Sequence, residues 1–359
     1  METTIEKKIA ATTPRRRVAW ILPVLGLVLL AAVLVASAYG AASVSVPDII
    51  KMVLHKLGVP GIPVTWRAAD ETIIFQLRLP RVVGAVLVGA ALSSAGVIFQ
   101  GLLRNPLADP YIIGTSAGAA FMATVAMLLP VSYALLDFGL ISLFSFAGAL
   151  GAVFLVYRLA RSGGRTPVVS LILSGFIVSA MLTAFMTLLI STSERFGLNL
   201  HAVYSFLIGR FAISSWEQIA VITPLIVTGI LLARLFSRHL NAFALGDDGA
   251  SYLGVSVEKD KIILLVAGSL LTASAVALSG LVGFVGLIVP HAVRILLGPD
   301  HRMLVPVSAL TGAVFLVLCD LVSRTILSPI EIPVGVITAI IGAPFFIYLL
   351  RKTGKKYTF

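Results

Sequence analysis

The chain has 359 residues, of which 58% are hydrophobic and only 12% charged, and its mean hydropathy is +1.05. Soluble domains carry roughly 25% charged residues, so this composition excludes a soluble enzyme and indicates one polytopic membrane domain over residues 1–359. The formal net charge of +11 requires no nucleic-acid partner, because lysines and arginines flanking membrane spans are an insertion signal.

Stretches of about 20 residues without charge are long enough to cross a bilayer. Read in chain order, they fall near 18–39, 82–103, 112–129, 138–157, 168–190, 214–236, 262–279, 283–297, 303–323 and 333–350. The first follows a basic tail, 1–17, and at about 22 residues it exceeds the 7–15 of a signal-peptide core; it reads as an uncleaved span. Between the first two spans, Ile49, Ile50, Val53, Leu54 and Leu57 share a helical face, which predicts a short interfacial helix. Residues Ile262 to Ala292 contain no Asp, Glu, Lys or Arg, too long a run for one comfortable helix. Ser279-Gly280 and Gly283 punctuate it, and glycine marks such breaks. The total is ten spans.

With the N-terminus inside, 19 of the 27 lysines and arginines lie on the inner side, as the positive-inside rule requires. Both termini are then cytoplasmic. The single cysteine, Cys319, lies within a span and leaves no internal disulfide or thiolate metal site.

Four segments carry polar residues in telling places. LRLPR puts Arg78 and Arg81 at the outer mouth of the charge-free run Val82–Leu103. Each charge costs about 2.5–3.5 kcal/mol in hydrocarbon on insertion scales, so both belong at an interface. RNPLADP closes the inner end of that run with a turn fixed by proline. Ser179, Thr183 and Thr187 in the fifth span repeat every four residues, a hydroxyl stripe suited either to a polar path or to helix association. Residues 237–261 form an inner loop whose glycines suggest two short helices, with Asp247 and Asp248 starting the second, where the helix dipole favours negative charge.

The segments LRLPRVVGAVLVGAALSSAGVIFQGLLRNPLADPYIIGTSAGA, ALGDDGASYLGV, LSGLVGFVGLIVPHAVRILLGPDHR and EIPVGVITAIIGAPFFIYLL resemble the FecCD-type ABC permeases, subunits of importers for iron-siderophores, heme and vitamin B12. The resemblance runs over about 75–350. It implies an all-α polytopic membrane protein with ten transmembrane helices, the vitamin B12 permease-like plan of type II ABC importers, in which two helical groups form inverted repeats. That symmetry is not visible in this sequence.

The resemblance also implies partners: two copies of a cytoplasmic ABC ATPase, a second permease subunit (identical or related) and a periplasmic or lipid-anchored substrate-binding protein. The setting is the membrane lipid of a bacterial or archaeal plasma (inner) membrane. Arg78, Arg81 and Arg324 match positions that meet acidic residues of the binding protein, a role that suits arginine's bidentate fork; the alternatives are plain helix anchoring and, for Arg324, an intrahelical pair with Asp320 four residues earlier. Asn105, Pro106 and Leu107 match a cytoplasmic gate, with Leu107 as an apolar plug and the 162–169 turn as its other part.

The translocation path is expected from the fifth and tenth spans, through Ser174, Ser179, Thr183, Thr187, Thr338 and Gly342. Leu245, Gly246, Asp247, Asp248, Ala250, Leu253 and Gly254 are expected to couple to the ATPase. The chain has no G-x-x-x-x-G-K-[ST], so it is not expected to hydrolyse ATP itself; the resemblance implies a non-enzymatic subunit without a cofactor of its own, with ATP-Mg on the partner ATPase. The five histidines are too scattered for a metal cluster. The expected cargo is a ferric siderophore, then heme, then a cobalamin. An ion-coupled secondary transporter would place ionisable groups inside spans, where only Asp320 qualifies.

Overall fold

The computed structural model describes residues 14–40, 43–129, 139–192, 200–211, 213 and 215–353. Residues 1–13 of the basic tail, Arg195, and the C-terminal lysines Lys355 and Lys356 lie outside them.

Fourteen helices follow in order: α1 (Pro14–Ala38), α2 (Val46–Lys56), α3 (Ala68–Leu102), α4 (Thr115–Leu128), α5 (Leu140–Ala160), α6 (Val168–Ser191), α7 (Leu200–Leu207), α8 (Trp216–Leu235), α9 (Ser237–Phe243), α10 (Gly246–Tyr252), α11 (Val257–Ser279), α12 (Val285–Leu297), α13 (His301–Thr325) and α14 (Val334–Thr353). Among the described residues there is no strand, only one isolated bridge between Ser162 and Arg165. Seven helices, α1, α3, α5, α6, α8, α11 and α13, are long and apolar enough to cross a membrane. The other three expected spans are the shorter apolar helices α4, α12 and α14.

Helix α3 is the central post. It is interrupted only by a π-helical turn, Ile73–Arg78, and its apolar window is 78% buried. Helices α8, α11, α12 and α13 all pack on it. Glycine lets the backbones meet, as small residues do where helices associate in membranes. A Cβ on Gly89 would strike the Gly312 carbonyl of α13, and one on Gly96 the Gly286 carbonyl of α12. Gly118 and Gly148 likewise bring α4 against α5. Helices α6 and α14 sit at the margin; the apolar window of α6 is only 22% buried.

The long uncharged run breaks where its glycines stand. α11 ends at Ser279, Gly280 takes a positive φ of 63°, and α12 begins after Phe284, whose own φ is +69°, an uncommon conformation for a bulky residue. The break is stitched into its surroundings: Leu281 N donates to Phe206 O (3.0 Å), and Gly335 N to Gly209 O (3.1 Å).

The expected short helix forms, and it packs on the protein through Ile49 and Met52 while part of its apolar face stays open. Ser45 caps α2 by accepting from Asp48 N at 3.2 Å. Ile49 and Met52 are the buried pair, against Ala38, Val44 and Ile74. Ile50, Leu54 and Leu57 remain exposed. The end of α1 and the π-turn of α3 supply the apolar contact, so the helix turns Met52 toward protein rather than Leu57.

Candidate functional site

Three polar zones interrupt this apolar framework, one at the end that the charge distribution predicts to be outer and two at the end that it predicts to be inner. At the outer end, Asp320 of α13 is completely buried. Its Oδ1 accepts from Arg81 Nε and its Oδ2 from Arg324 Nε, each at 2.9 Å. Arg81 Nη1 reaches Glu331 at 2.9 Å. Arg324 Nη2 donates to Ala36 O at 3.1 Å, and Arg78 Nη1 donates to Ser37 O and Ala38 O at 2.8 and 3.0 Å, at the frayed end of α1 where carbonyls lack helical partners. Arg78 and Arg324 are therefore buried, and Arg324 makes the pair with Asp320 that their four-residue spacing allows. Arg81, Glu331 and Gly40 line an open cavity of about 290 Å³ with them.

At the inner end, α9 and α10 stand below the core. Their own Leu240, Phe243 and Ala250 are buried, while Leu245, Tyr252 and Leu253 are 68%, 91% and 63% exposed. Gly246 and Gly254 bound α10 with φ of +90° and +80°, values that favour glycine. Asp247 and Asp248 occupy its first turn as expected. Three polar links tie the pair upward. Asn241 Nδ2 donates to Asp300 Oδ1 (2.8 Å) and Asn241 Oδ1 accepts from His301 N (2.9 Å). His239 Nδ1 lies 2.8 Å from Asp260 Oδ2, and Asp247 Oδ2 lies 2.6 Å from Lys261 Nζ. The Asp300 carboxyl is held well below the usual carboxylate range, mainly by Arg302 and then, against partial burial, by Asn241.

The third zone is the 103–114 loop. Arg104 has φ +51°, Asn105 Oδ1 accepts from Leu107 N at 2.9 Å, and this Asx turn leaves Leu107 43% exposed. Asp109 Oδ1 accepts from Tyr111 N (2.8 Å), and the Tyr111 hydroxyl donates to Val282 O (3.1 Å), joining the loop to the α11–α12 break.

Of the residues expected along a path, Thr183 and Thr187 are exposed on α6, and Thr187 donates to the Thr183 carbonyl. Ser174 is buried and Ser179 half-buried. Thr338 is completely buried with its hydroxyl on Gly335 O, and Gly342 lies under the Phe284 ring. Gly342 thus packs on the start of α12 and Thr338 is enclosed, while the open face of α14 carries Val336, Ile340, Ile341 and Ile347. Among the described residues, no three or more His, Cys, Asp or Glu gather as metal ligands.

Ten apolar helices, α3 among them as the central post, a break at 280–284 and a pair of short helices at one end make up the framework, and the FecCD transport family model matches residues 28–352. The chain belongs to the FecCD transport family. It is 43% identical over 314 residues to the ABC transporter permease protein YvrB of Bacillus subtilis, covering 87% of this chain and 88% of that one. It is 44% identical over 291 residues to the cobalamin import system permease protein BtuC of Halobacterium salinarum, covering 81% and 75%. The Fe(3+)-citrate import system permease protein YfmD of B. subtilis is 39% identical over 87% of this chain and 89% of its own. A solved metal-chelate type ABC transporter in an inward-facing conformation superposes with a TM-score of 0.78 at 33% identity, over 93% of this chain and 99% of that one.

The residues that sequence reasoning missed in this FecCD protein are mostly partners of those it found. Glu331 opens the quoted segment EIPVGVITAIIGAPFFIYLL, and Asn241 and Lys261 lie in the 237–261 loop, yet none was singled out because each acts through a partner distant in sequence or on another element. Tyr252, the most exposed of the inner apolar residues, stood inside the quoted segment ALGDDGASYLGV, between residues that were singled out.

Proposed function

We propose that this chain is the transmembrane permease subunit of an ABC importer that takes a ferric chelate from an external binding protein and passes it into the cytoplasm. The observation that carries this reading is the inner helix pair. An exposed Leu245–Tyr252–Leu253 surface has no reason to face water in a chain with so little soluble mass, and large exposed apolar patches mark partner sites. A cytoplasmic ATPase is the partner of that surface. The ATPase supplies the hydrolysis, since the permease has no nucleotide motif.

The exposed faces of α6 and α14 meet a second permease subunit, and together they enclose the path. Thr183 and Thr187 of α6 supply its hydroxyls. Leu107, held by Asn105 and Pro106, forms the cytoplasmic constriction with the 162–169 turn. On the outer side, Arg81 with Arg78 and Arg324 receives acidic residues of the binding protein. Both chain termini face the cytoplasm of a bacterial or archaeal cell.

A ferric chelate is favoured over heme and cobalamin by the iron-citrate relative and the metal-chelate transporter. The cobalamin relative keeps the vitamin as the second reading. The test is uptake by proteoliposomes holding the permease, its ATPase and its binding protein, offered labelled ferric siderophore, heme or cobalamin. ATP-dependent uptake of the ferric chelate alone supports the assignment. Uptake of cobalamin or heme instead overturns the cargo, and ATP-independent uptake overturns the importer class.

A further inference from the structure

Lys261 is buried to 1% exposure in the first turns of α11, among the largest fully buried side chains of the protein. A buried ammonium is costly unless paired and hydrogen-bonded, and three oxygens from three places meet this one. Asp247 Oδ2 of α10 lies at 2.6 Å, the Thr166 carbonyl at 3.1 Å, and Glu258 Oε1 of α11 at 3.5 Å. Thr166 immediately precedes Pro167, the N-cap of α6. One side chain thus joins the inner helix that faces the ATPase, the turn that begins α6, and the start of α11.

The contact is local. An open cavity of about 360 Å³ lies between α10 and that turn, lined by Arg165, Pro167, Asp248 and Ser251 around the lysine. Apolar packing does not fill the gap, so a push on α10 reaches the turn chiefly through Lys261. The remaining links of the helix pair lead elsewhere: Asn241 to the start of α13, and His239 to Asp260 of α11.

We propose that Lys261 is a positioning residue that makes α10 and the 162–167 turn move as one body, so that displacement of α10 by the ATPase is delivered to α6. The proposal rests on the reading of α10 as the ATPase contact and α6 as a path helix. Lys261 touches neither nucleotide nor cargo; it acts through Asp247 and Thr166. Its loss therefore separates hydrolysis from transport, whereas a residue needed only for folding lowers both together.

The experiment uses the assembled importer in proteoliposomes. Lys261→Met keeps the stem of the side chain and removes the ammonium. The ATPase is expected to co-purify at the wild-type level and to hydrolyse ATP, while cargo taken up per ATP falls about tenfold. Unchanged uptake per ATP with the ATPase attached overturns the proposal and leaves the docking reading intact. Retention of the ATPase by a Leu245→Ala, Leu253→Ala double variant overturns the docking reading instead.

A second measurement keeps Lys261 in place and does not depend on how the methionine variant folds. Spin labels at Arg165 and Ser251, both exposed, report the distance between the turn and α10 with and without a non-hydrolysable ATP analogue. A constant distance, while a label pair from Ser251 to an outer position changes, supports one body. A turn that stays behind while α10 moves overturns it.

Discussion

Arg81 Nε donates to Asp320 Oδ1 at 2.9 Å across 239 residues of sequence, and Arg324 binds the other oxygen of the same carboxylate. The outer arginines are thus held in place before any partner arrives. Charge reversal is then a poor probe of docking, because a glutamate at 81 would face a carboxylate with no water around it. Arg81→Gln is the better probe. It leaves Asp320 paired with Arg324 and removes the one guanidinium of the three that stays partly exposed. Affinity of the binding protein for nanodisc-held permease should drop about tenfold at low salt, with the difference shrinking as salt screens exposed charge over about 8 Å at physiological ionic strength. Equal affinities at low salt would return Arg81 to a purely structural role.

Asp320→Ala should be far more harmful than Arg81→Gln. It strips the shared carboxylate from two guanidiniums, one of them buried, and breaking a buried pair costs about 3–5 kcal/mol. Thermal unfolding of the detergent-solubilised protein should shift clearly downward, with Asp320→Asn in between, since the amide oxygen still accepts one hydrogen bond. A variant as heat-stable as wild type would mean that Glu331 alone holds Arg81 and the carbonyls of Ala36 and Tyr39 alone hold Arg324.

Leu245→Ala with Leu253→Ala should release the ATPase without unfolding the permease. Both side chains are more than half exposed, so the free subunit loses little by their truncation. Burial of each against a partner contributes roughly 1.5–3 kcal/mol. Co-purification from detergent is the measurement; a full complement of ATPase on the double variant would show that the surface lies elsewhere.

The spans were legible because a bilayer imposes length and apolarity on each segment separately. Even the break at Gly280 could be read, since only glycine signals punctuate an uncharged run. What crosses between segments could not. Nothing in LRLPR says that Asp320 waits for Arg81, because that contact depends on how α3 and α13 pack. The same holds for Gly89, whose neighbour Gly312 lies far along the chain. Thr338 and Gly342 stay ambiguous in the sequence for a related reason. Their small size fits a pore lining and a tight helix contact equally well, and only the structure shows both enclosed, Gly342 under the Phe284 ring. That Met52 is the residue α2 buries could not be read either, because it depends on what α1 and the π-turn offer the helix.

Leu107 tests the inner gate. Its turn is fixed locally: Asn105 Oδ1 holds Leu107 N, and Ala108 N donates to Asn105 O at 3.0 Å. The side chain is 43% exposed on a rigid support, which is the disposition an apolar plug needs once a second subunit faces it. Leu107→Ala shortens the plug and leaves the turn intact. Asn105→Ala leaves the plug and loosens the turn, at a cost of about 1 kcal/mol for a lost backbone-capping bond. If the plug is steric, the first variant should leak preloaded cargo from proteoliposomes several-fold faster in the absence of ATP, and the second should leak less. Equal, wild-type leak from both would place the constriction elsewhere, with the 162–169 turn as the next position to truncate.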